Sequence, residues 1–300
     1  MISLKELAGK KPWLTSLTLW ILAGALTLRA VLFQESTGPT HPLKGEFKIV
    51  TGQVRFNFSR SETIGSSLNI MILDPIPDGF RGFVKYRRYK SDDDWRIASF
   101  SAISEEFTFV RHGRAEVATG RGIRLPSLQE RAGKYEYFVY LGDAMTEPLS
   151  VTGDKAVLAR YKAEVPAWAI AIHVFLIFAA LILSVRTVLE AMIDGNFKWL
   201  LGANVIALLL GGFVFGPLVQ KYAFGVWWSG IPYGHDWTDN KVLVELIFWD
   251  AALILNRGAK RNKCAVYLAG IVTLLVYFIP PSIFWSEFDY RTGPGHGTTG

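Results

Sequence analysis

Long apolar segments recur along this chain, and they constrain its fold more than any other feature of the sequence. A segment of about 20 apolar residues can cross the roughly 30 Å hydrocarbon core of a bilayer as a helix. Apolar residues make up 50% of the chain and charged residues only 19%, which is unusually apolar for a soluble protein. The segments are Trp13–Phe33, Val165–Val185, Trp199–Val219, Lys241–Asn256 and Cys264–Trp285. They predict a multi-pass α-helical membrane bundle with about five transmembrane helices.

The first apolar segment has features of both a signal peptide and an uncleaved anchor. Basic residues precede it at Lys5, Lys10 and Lys11, as they do in either case. No small-x-small cleavage site follows, since the segment continues as Arg29–Phe33. We therefore predict that residues 1–34 form a cytoplasmic N-terminus and a first transmembrane helix that acts as a signal anchor.

Between the first two apolar segments, residues 45–163 follow a period of two instead. In Lys134–Leu141, aromatic and aliphatic residues occupy every second position, which places them on one face of a strand. Turn-forming sequences such as Asp74–Gly79 separate several such strands. This pattern predicts an all-β sandwich of the size of one domain, inserted between helices 1 and 2.

One part of the β segment resembles a known architecture. The stretch Ala132–Leu141, followed by Gly142 and Asp143, resembles the late strand of a fibronectin-III or immunoglobulin-like module. The resemblance implies an immunoglobulin/fibronectin-III-like sandwich with a role in binding or spacing. It therefore implies a protein partner that binds through the β-sandwich, but it identifies no activity, because a fold does not determine a function.

The basic residues in the short linkers predict the orientation of the helices. Arg186 and Lys198 flank one linker, and Arg257–Lys263 contains four more basic residues. Short loops rich in Lys and Arg stay cytoplasmic, so these linkers should share the side of the N-terminal lysines. The β domain, the loop 220–240 and the tail 286–300 then lie on the opposite side.

Localisation and domain limits follow from this orientation. The sequence contains no eukaryotic sorting motif, so we predict a bacterial inner membrane with the N-terminus cytoplasmic and the β domain and C-terminus periplasmic. Residues 164–285 should form a four-helix transmembrane region that includes the structured external loop 220–240. The tail 286–300 is short and rich in glycine, and we expect it to be disordered.

Polar groups at bilayer depth are the first candidates for a functional site, because burying them in lipid is costly. They are His173, Glu245 and Asp250. His173 and Asp250 should lie at equal depth, so they can form a structural hydrogen bond, a proton relay or an oriented haem or metal ligand. The simplest interpretation of Glu245 is an i, i+4 ion pair with Lys241 on the same helix.

The loop 220–240 is the second candidate, because it combines aromatic, acidic and amide side chains at a membrane surface. Its candidate residues are Trp228, His235, Asp236, Asp239 and Asn240. The acids can bind a cation or act as acid–base groups, but their spacing matches no metal motif. The simpler interpretation is that Asp236 or Thr238 caps the next helix, with Asp239 in its first turn. The tryptophans then belong to an interfacial aromatic belt.

Several function classes are excluded or lose support. The net charge of +6 comes with no nucleic-acid-binding motif, and basic residues cluster at the ends of apolar segments, so we expect no nucleic-acid partner. The single cysteine, Cys264, excludes an intramolecular disulfide and a thiolate metal cluster. Neither a catalytic motif nor a metal-binding motif is present, and the sequence identifies no cofactor.

Three functions remain open from the sequence. The first is a non-catalytic accessory or assembly subunit of an envelope complex, which binds a partner through the β-sandwich. The second is a bundle that handles protons or a cofactor through His173, Asp250 and Glu245. The third is a membrane enzyme acting on lipid or glycan at the outer leaflet, with His235, Asp236 and Asp239 as acid–base groups.

Overall fold

The fold is taken from a computed structural model of the 300-residue chain. The structure describes residues 11–38, 40–49, 52–74, 81–101, 105–111, 114–142, 147–234, 236–279 and 288–292. Within these ranges, two β-sheets lie in sequence between the first helix and the remaining helices. This order agrees with the predicted insertion of a β domain between helices 1 and 2.

The helices follow the apolar segments of the sequence. Their bounds are α1 Pro12–Thr37, α2 Ala167–Met192, α3 Lys198–Leu208, α4 Gly216–Phe224, α5 Trp237–Leu255 and α6 Lys263–Phe278. A π-helical segment, Leu209–Phe215, joins α3 to α4, so Lys198–Phe224 is one continuous helix of 27 residues. Within the described residues, three helices are long and apolar enough to cross a membrane: α1, α2 and Lys198–Phe224. These three indicate a membrane protein.

The last two helices are weaker candidates for spanning a membrane. Helix α6 has 16 residues, which is about 24 Å at a rise of 1.5 Å per residue and shorter than the usual hydrocarbon core. Helix α5 has 19 residues but carries Asp239, Lys241, Glu245 and Asp250, so its apolar length is interrupted. The five-span topology therefore stays a prediction.

In the part of the β domain that the structure describes, eleven strands form the two sheets. They are β1 Leu43–Ile49, β2 Gly52–Phe58, β3 Ser61–Thr63, β4 Leu68–Ile72, β5 Arg81–Arg88, β6 Arg96–Ser99, β7 Glu105–Arg111, β8 Arg114–Leu125, β9 Lys134–Gly142, β10 Leu149–Ser150 and β11 Val157–Lys162. One sheet has the order β1-β2-β4-β8-β7, and the other has the order β3-β11-β9-β5-β6, with β10 beside β9. All pairs are antiparallel except β3–β11. The predicted immunoglobulin/fibronectin-III type of sandwich stays a prediction.

The two sheets share one core. Strand β9 contributes Tyr135, Tyr137, Val139 and Leu141, which are buried as its alternating sequence predicts. The Tyr137 hydroxyl donates a hydrogen bond to the Ser59 carbonyl at 2.8 Å and so ties the sheets together. Burial raises the pKa of the Tyr137 phenol far above its ordinary value, which keeps this donor protonated.

The β domain contacts the end of α4. The Ala163 amide, just after β11, donates to the Ala223 carbonyl at 2.9 Å. The Arg160 guanidinium lies 5.4 Å from the centre of the Phe224 ring. These contacts attach the last strand of the β domain to the helical region a few residues before α2 begins.

The described part of the C-terminal tail also contacts the β domain. The amide of Phe288 donates to the Ala132 carbonyl at 3.1 Å, and the amide of Tyr290 donates to the Lys90 carbonyl at 3.0 Å. The Tyr290 ring packs against the β core, and its hydroxyl donates to Glu130 at 3.1 Å. These contacts compensate for the cost of ordering residues 288–292, and the predicted disorder of the tail 286–300 stays a prediction.

Candidate functional site

Asp236 lies directly before helix α5, at the end of the loop 220–240. Its carboxylate accepts a hydrogen bond from the Thr238 amide at 2.7 Å, and the residue is 5% exposed. The first amides of a helix have no partner within the helix, and an Asp at this position supplies one. Asp236 is therefore a helix cap, which agrees with the simpler interpretation of the sequence.

Asp239, in the first turn of α5, is hydrogen-bonded to Ser229 of the loop. One of its carboxylate oxygens accepts hydrogen bonds from the Ser229 amide at 2.7 Å and the Ser229 hydroxyl at 3.0 Å. The Gln220 side-chain amide donates to the same oxygen at 3.2 Å. Asp239 thus connects α4, the loop and α5, and its carboxylate is engaged in structural contacts.

Asn240 and Trp228 hold the middle of the loop. The Asn240 side-chain oxygen accepts from the Ile231 amide at 2.8 Å, and the Trp228 indole donates to the Ile231 carbonyl at 3.1 Å. The Trp228 ring stacks on Phe213 of the π-helical segment at 5.2 Å between ring centres. The loop is therefore a compact cap on the helices. His235 lies outside the described residues.

His173, on α2, contacts the π-helical segment. Its Nδ1 lies 2.9 Å from the Gly211 carbonyl, and that carbonyl also accepts from the Gly216 amide. Gly211 lies close to α2, since a Cβ atom there would be 3.0 Å from the Leu176 side chain. π-Helical segments are often found at functional sites, and here the segment accepts a polar group of α2.

Asp250 is half-buried on α5, and it does not pair with His173. Among the residues that the structure describes, Asp250 has no hydrogen-bond or ion-pair partner, whereas His173 contacts Gly211. Equal depth in two helices does not bring two side chains together unless both point to the same interface. The structure therefore does not support the His173–Asp250 pair considered from the sequence.

Glu245 is the most buried of the candidate acids, with 3% of its surface exposed. Its carboxyl group accepts a hydrogen bond from the Thr273 hydroxyl of α6 at 2.8 Å, and that hydroxyl accepts from the Trp249 indole at 2.9 Å. Lys241 does not form the expected i, i+4 pair with it: in the described chain, the Lys241 ammonium donates to the Ile279 carbonyl. Sequence reasoning missed Thr273 and Trp249, although Trp249 lies one turn from Glu245.

These contacts determine what the site can do chemically. Asp236 and Asp239 each accept hydrogen bonds from backbone amides, and no group of three His, Cys, Asp or Glu residues within the described ranges is placed to hold a metal ion. No protein-family model, curated protein or solved structure matches the chain.

Replacing Asp236 with alanine should lower the stability of the helical region by about 1 kcal/mol, because the Thr238 amide loses its partner. Asp236→Asn retains an oxygen acceptor and should keep most of the stability. Thermal unfolding in detergent measures both variants. An unfolding temperature for Asp236→Ala equal to that of the wild type would show that the cap contributes nothing.

Proposed function

We propose that this protein is a non-catalytic membrane subunit that holds a periplasmic β-sandwich in a fixed position for a protein partner. The observation that carries this proposal is the double attachment of the β domain to the rest of the chain. Ala163 and Arg160 contact the end of α4, and Phe288 and Tyr290 return from the C-terminus to the same domain. A domain tethered by a flexible linker alone needs neither set of contacts.

The use of the candidate acids supports a non-catalytic role. One oxygen of Asp236 and one of Asp239 accept hydrogen bonds from backbone amides of the loop and helix, which gives both carboxylates a structural role that involves no catalysis. This arrangement stabilises the loop and weakens the alternative of an enzyme acting on lipid or glycan. An accessory or assembly subunit of an envelope complex fits these residues better.

The proposed topology has five spans, with the N-terminus in the cytoplasm of a bacterial cell. Support comes from the tail, because Phe288 and Tyr290 contact the same domain from which α2 starts. An even number of crossings must then separate the β domain from the tail, and α2, Lys198–Phe224, α5 and α6 supply four. The basic linkers between these helices fall on the opposite, cytoplasmic side.

Reporter fusions test this topology. Fusions after residues 150, 230 and 295 should report an external location, and fusions after residues 192 and 260 a cytoplasmic one. The physical basis is the asymmetry of Lys and Arg between alternate loops. An external reporter after residue 260 would rule out five spans.

Photo-crosslinking in native membranes tests the partner. A crosslinking residue at Val117 or Ile97, which are 62% and 67% exposed on the β domain, should give a discrete adduct with one partner. The same residue at Lys260, in the linker between α5 and α6, is the control and should not give that adduct. If neither β-domain position gives an adduct although the protein reaches normal abundance, the proposed function is wrong.

A second candidate function is proton handling, with Glu245 in the role first considered for Asp250. The supporting observation is that the nearly inaccessible Glu245 carboxyl has a neutral hydroxyl as its hydrogen-bond partner, and ionisable groups inside membrane spans mark proton pathways in many pumps and transporters. Glu245→Gln should insert normally but abolish proton-dependent function, while Asp250→Asn should retain it. If Glu245→Gln retains function, the role of Glu245 is structural.

A further inference from the structure

Strand β6, Arg96–Ser99, forms an edge of the sheet that contains β5 and β9. It pairs with β5 on one side, where Ile97 lies opposite Lys85 and Ser99 opposite Phe83. Within the described chain, no strand pairs with its other side. Such an edge presents unpaired backbone donors and acceptors that an added strand can use.

The backbone groups of Ile97 and Ser99 point towards this open side. The Phe100 amide donates to the Gly82 carbonyl at 2.9 Å, so these two residues form a hydrogen-bonded pair of the ladder. In an antiparallel ladder such pairs occur at every second residue. Ile97 and Ser99 lie at the alternate positions, between hydrogen-bonded pairs of the β5–β6 ladder. Each therefore directs its N–H and C=O away from β5.

The side chains beside this edge form an apolar surface. Ile97 is 67% exposed. Across the strand pair, the Lys85 ammonium lies 5.0 Å from the centre of the Trp95 ring, and Trp95 contacts Phe138 at 5.6 Å between ring centres. The alternating side chains of an added strand can cover such a surface while its backbone pairs with the edge.

The charge beside the edge is positive in balance. In the described part of the chain, the basic residues Arg81, Lys85 and Arg96 have no salt-bridge partner, the neighbouring acids Asp92 and Asp94 are exposed, and Asp93 pairs with Arg88. Charge complementarity therefore favours an acidic partner. A second copy of this chain fits poorly, because its own edge would place Lys85 and Arg96 against like charges.

The edge formed by β1 in the other sheet is different. It carries Lys44, Glu46 and Lys48, all exposed, at alternating positions. Charged side chains of this kind protect an edge against pairing with another chain. Strand β6 has the exposed apolar Ile97 in the corresponding central place.

We propose that β6 binds an extended, acidic segment of the protein partner as an additional strand. This inference rests on the proposed function, since it assigns the surface through which the β domain binds. The backbone of Ile97 and Ser99 supplies the hydrogen bonds, and Ile97 and Trp95 supply the apolar contact. Lys85 and Arg96 lie on opposite faces of the sheet and select acidic side chains on the two faces of the added strand.

Peptide binding to the full-length protein in nanodiscs tests this proposal. The probes are two fluorescent peptides of equal length. One alternates pairs of threonines with pairs of glutamates, which places acids on both faces of a strand, and the other has lysine in place of glutamate. The acidic peptide should bind and the basic peptide should not. Ile97→Pro removes an outward N–H donor and should weaken binding about tenfold. Leu149→Ala, at 66% exposure on the same sheet, is the matched control and should not change it.

Reversing the charges gives a second readout that does not depend on a proline. A variant with both Lys85→Glu and Arg96→Glu should prefer the basic peptide. Equal binding of the two peptides, no binding of either, or a folded Ile97→Pro variant with unchanged affinity would overturn the proposal. If the partner still crosslinks to the Ile97→Pro variant, β6 is not the surface that binds it. The proposed function as a membrane subunit is then unaffected.

Discussion

Replacing Phe58 with alanine should lower the free energy of unfolding of the β domain by about 3–5 kcal/mol. Phe58 is fully buried between the two sheets, and its ring stacks on Phe56 at 4.5 Å between ring centres. Removing the ring loses its transfer free energy and leaves a cavity that the sheets cannot fill completely. Hydrogen exchange of the β9 amides, read by mass spectrometry in the full-length protein, measures the change.

Leu149→Ala is the matched control for this experiment. Leu149 belongs to the same domain but is 66% exposed, so its replacement should change stability by less than about 0.5 kcal/mol. The helices should show unchanged exchange in both variants. A Phe58→Ala protein whose β9 amides exchange as slowly as those of the wild type would contradict a core shared by both sheets.

The second large effect is expected for Tyr290→Ala, which should destabilise the attachment of the tail by about 2–3 kcal/mol. The Tyr290 ring packs against the β core and under the Arg88 guanidinium, which lies 4.5 Å from the ring centre. Its hydroxyl donates to Glu130. Faster exchange at Ala132–Tyr137, which lies beneath the tail, would report the loss.

Tyr290→Phe separates the ring from the hydroxyl. It keeps the packing and should cost about 1 kcal/mol, the contribution of one hydrogen bond. Burial raises the pKa of the Tyr290 phenol well above its ordinary value, so the hydroxyl is protonated at neutral pH. If Tyr290→Ala leaves exchange at Ala132–Tyr137 unchanged, the tail does not hold the β domain.

The parts of the fold that sequence reasoning predicted are those with strong periodic patterns. The alternation in Lys134–Leu141 predicts the buried face of β9 because side chains of a strand point to opposite faces in turn. The long apolar segments predict α1 and α2 because a helix that faces lipid needs no polar face. Asp236 was predictable as a cap because the rule for helix starts is local.

The parts that could not be predicted depend on contacts between distant residues. The Glu245–Thr273 hydrogen bond joins two helices, and no local rule identifies a hydroxyl on the next helix as the partner of a carboxyl. The i, i+4 rule therefore pointed to Lys241 instead. The packing of Tyr290 also joins distant residues. Its position in a polar, glycine-rich tail does not predict that it packs on a core whose residues lie much earlier in the sequence.

The distribution of distances between the β domain and the loop tests the central claim most directly. One spin label at Asp154→Cys, on an exposed turn of the β domain, and one at Tyr233→Cys, 80% exposed in the loop, are placed in a Cys264→Ser background. Pulsed electron paramagnetic resonance in nanodiscs should give one narrow distribution that broadens in the Tyr290→Ala variant. A broad distribution in the otherwise unchanged protein would contradict a β domain held in a fixed position.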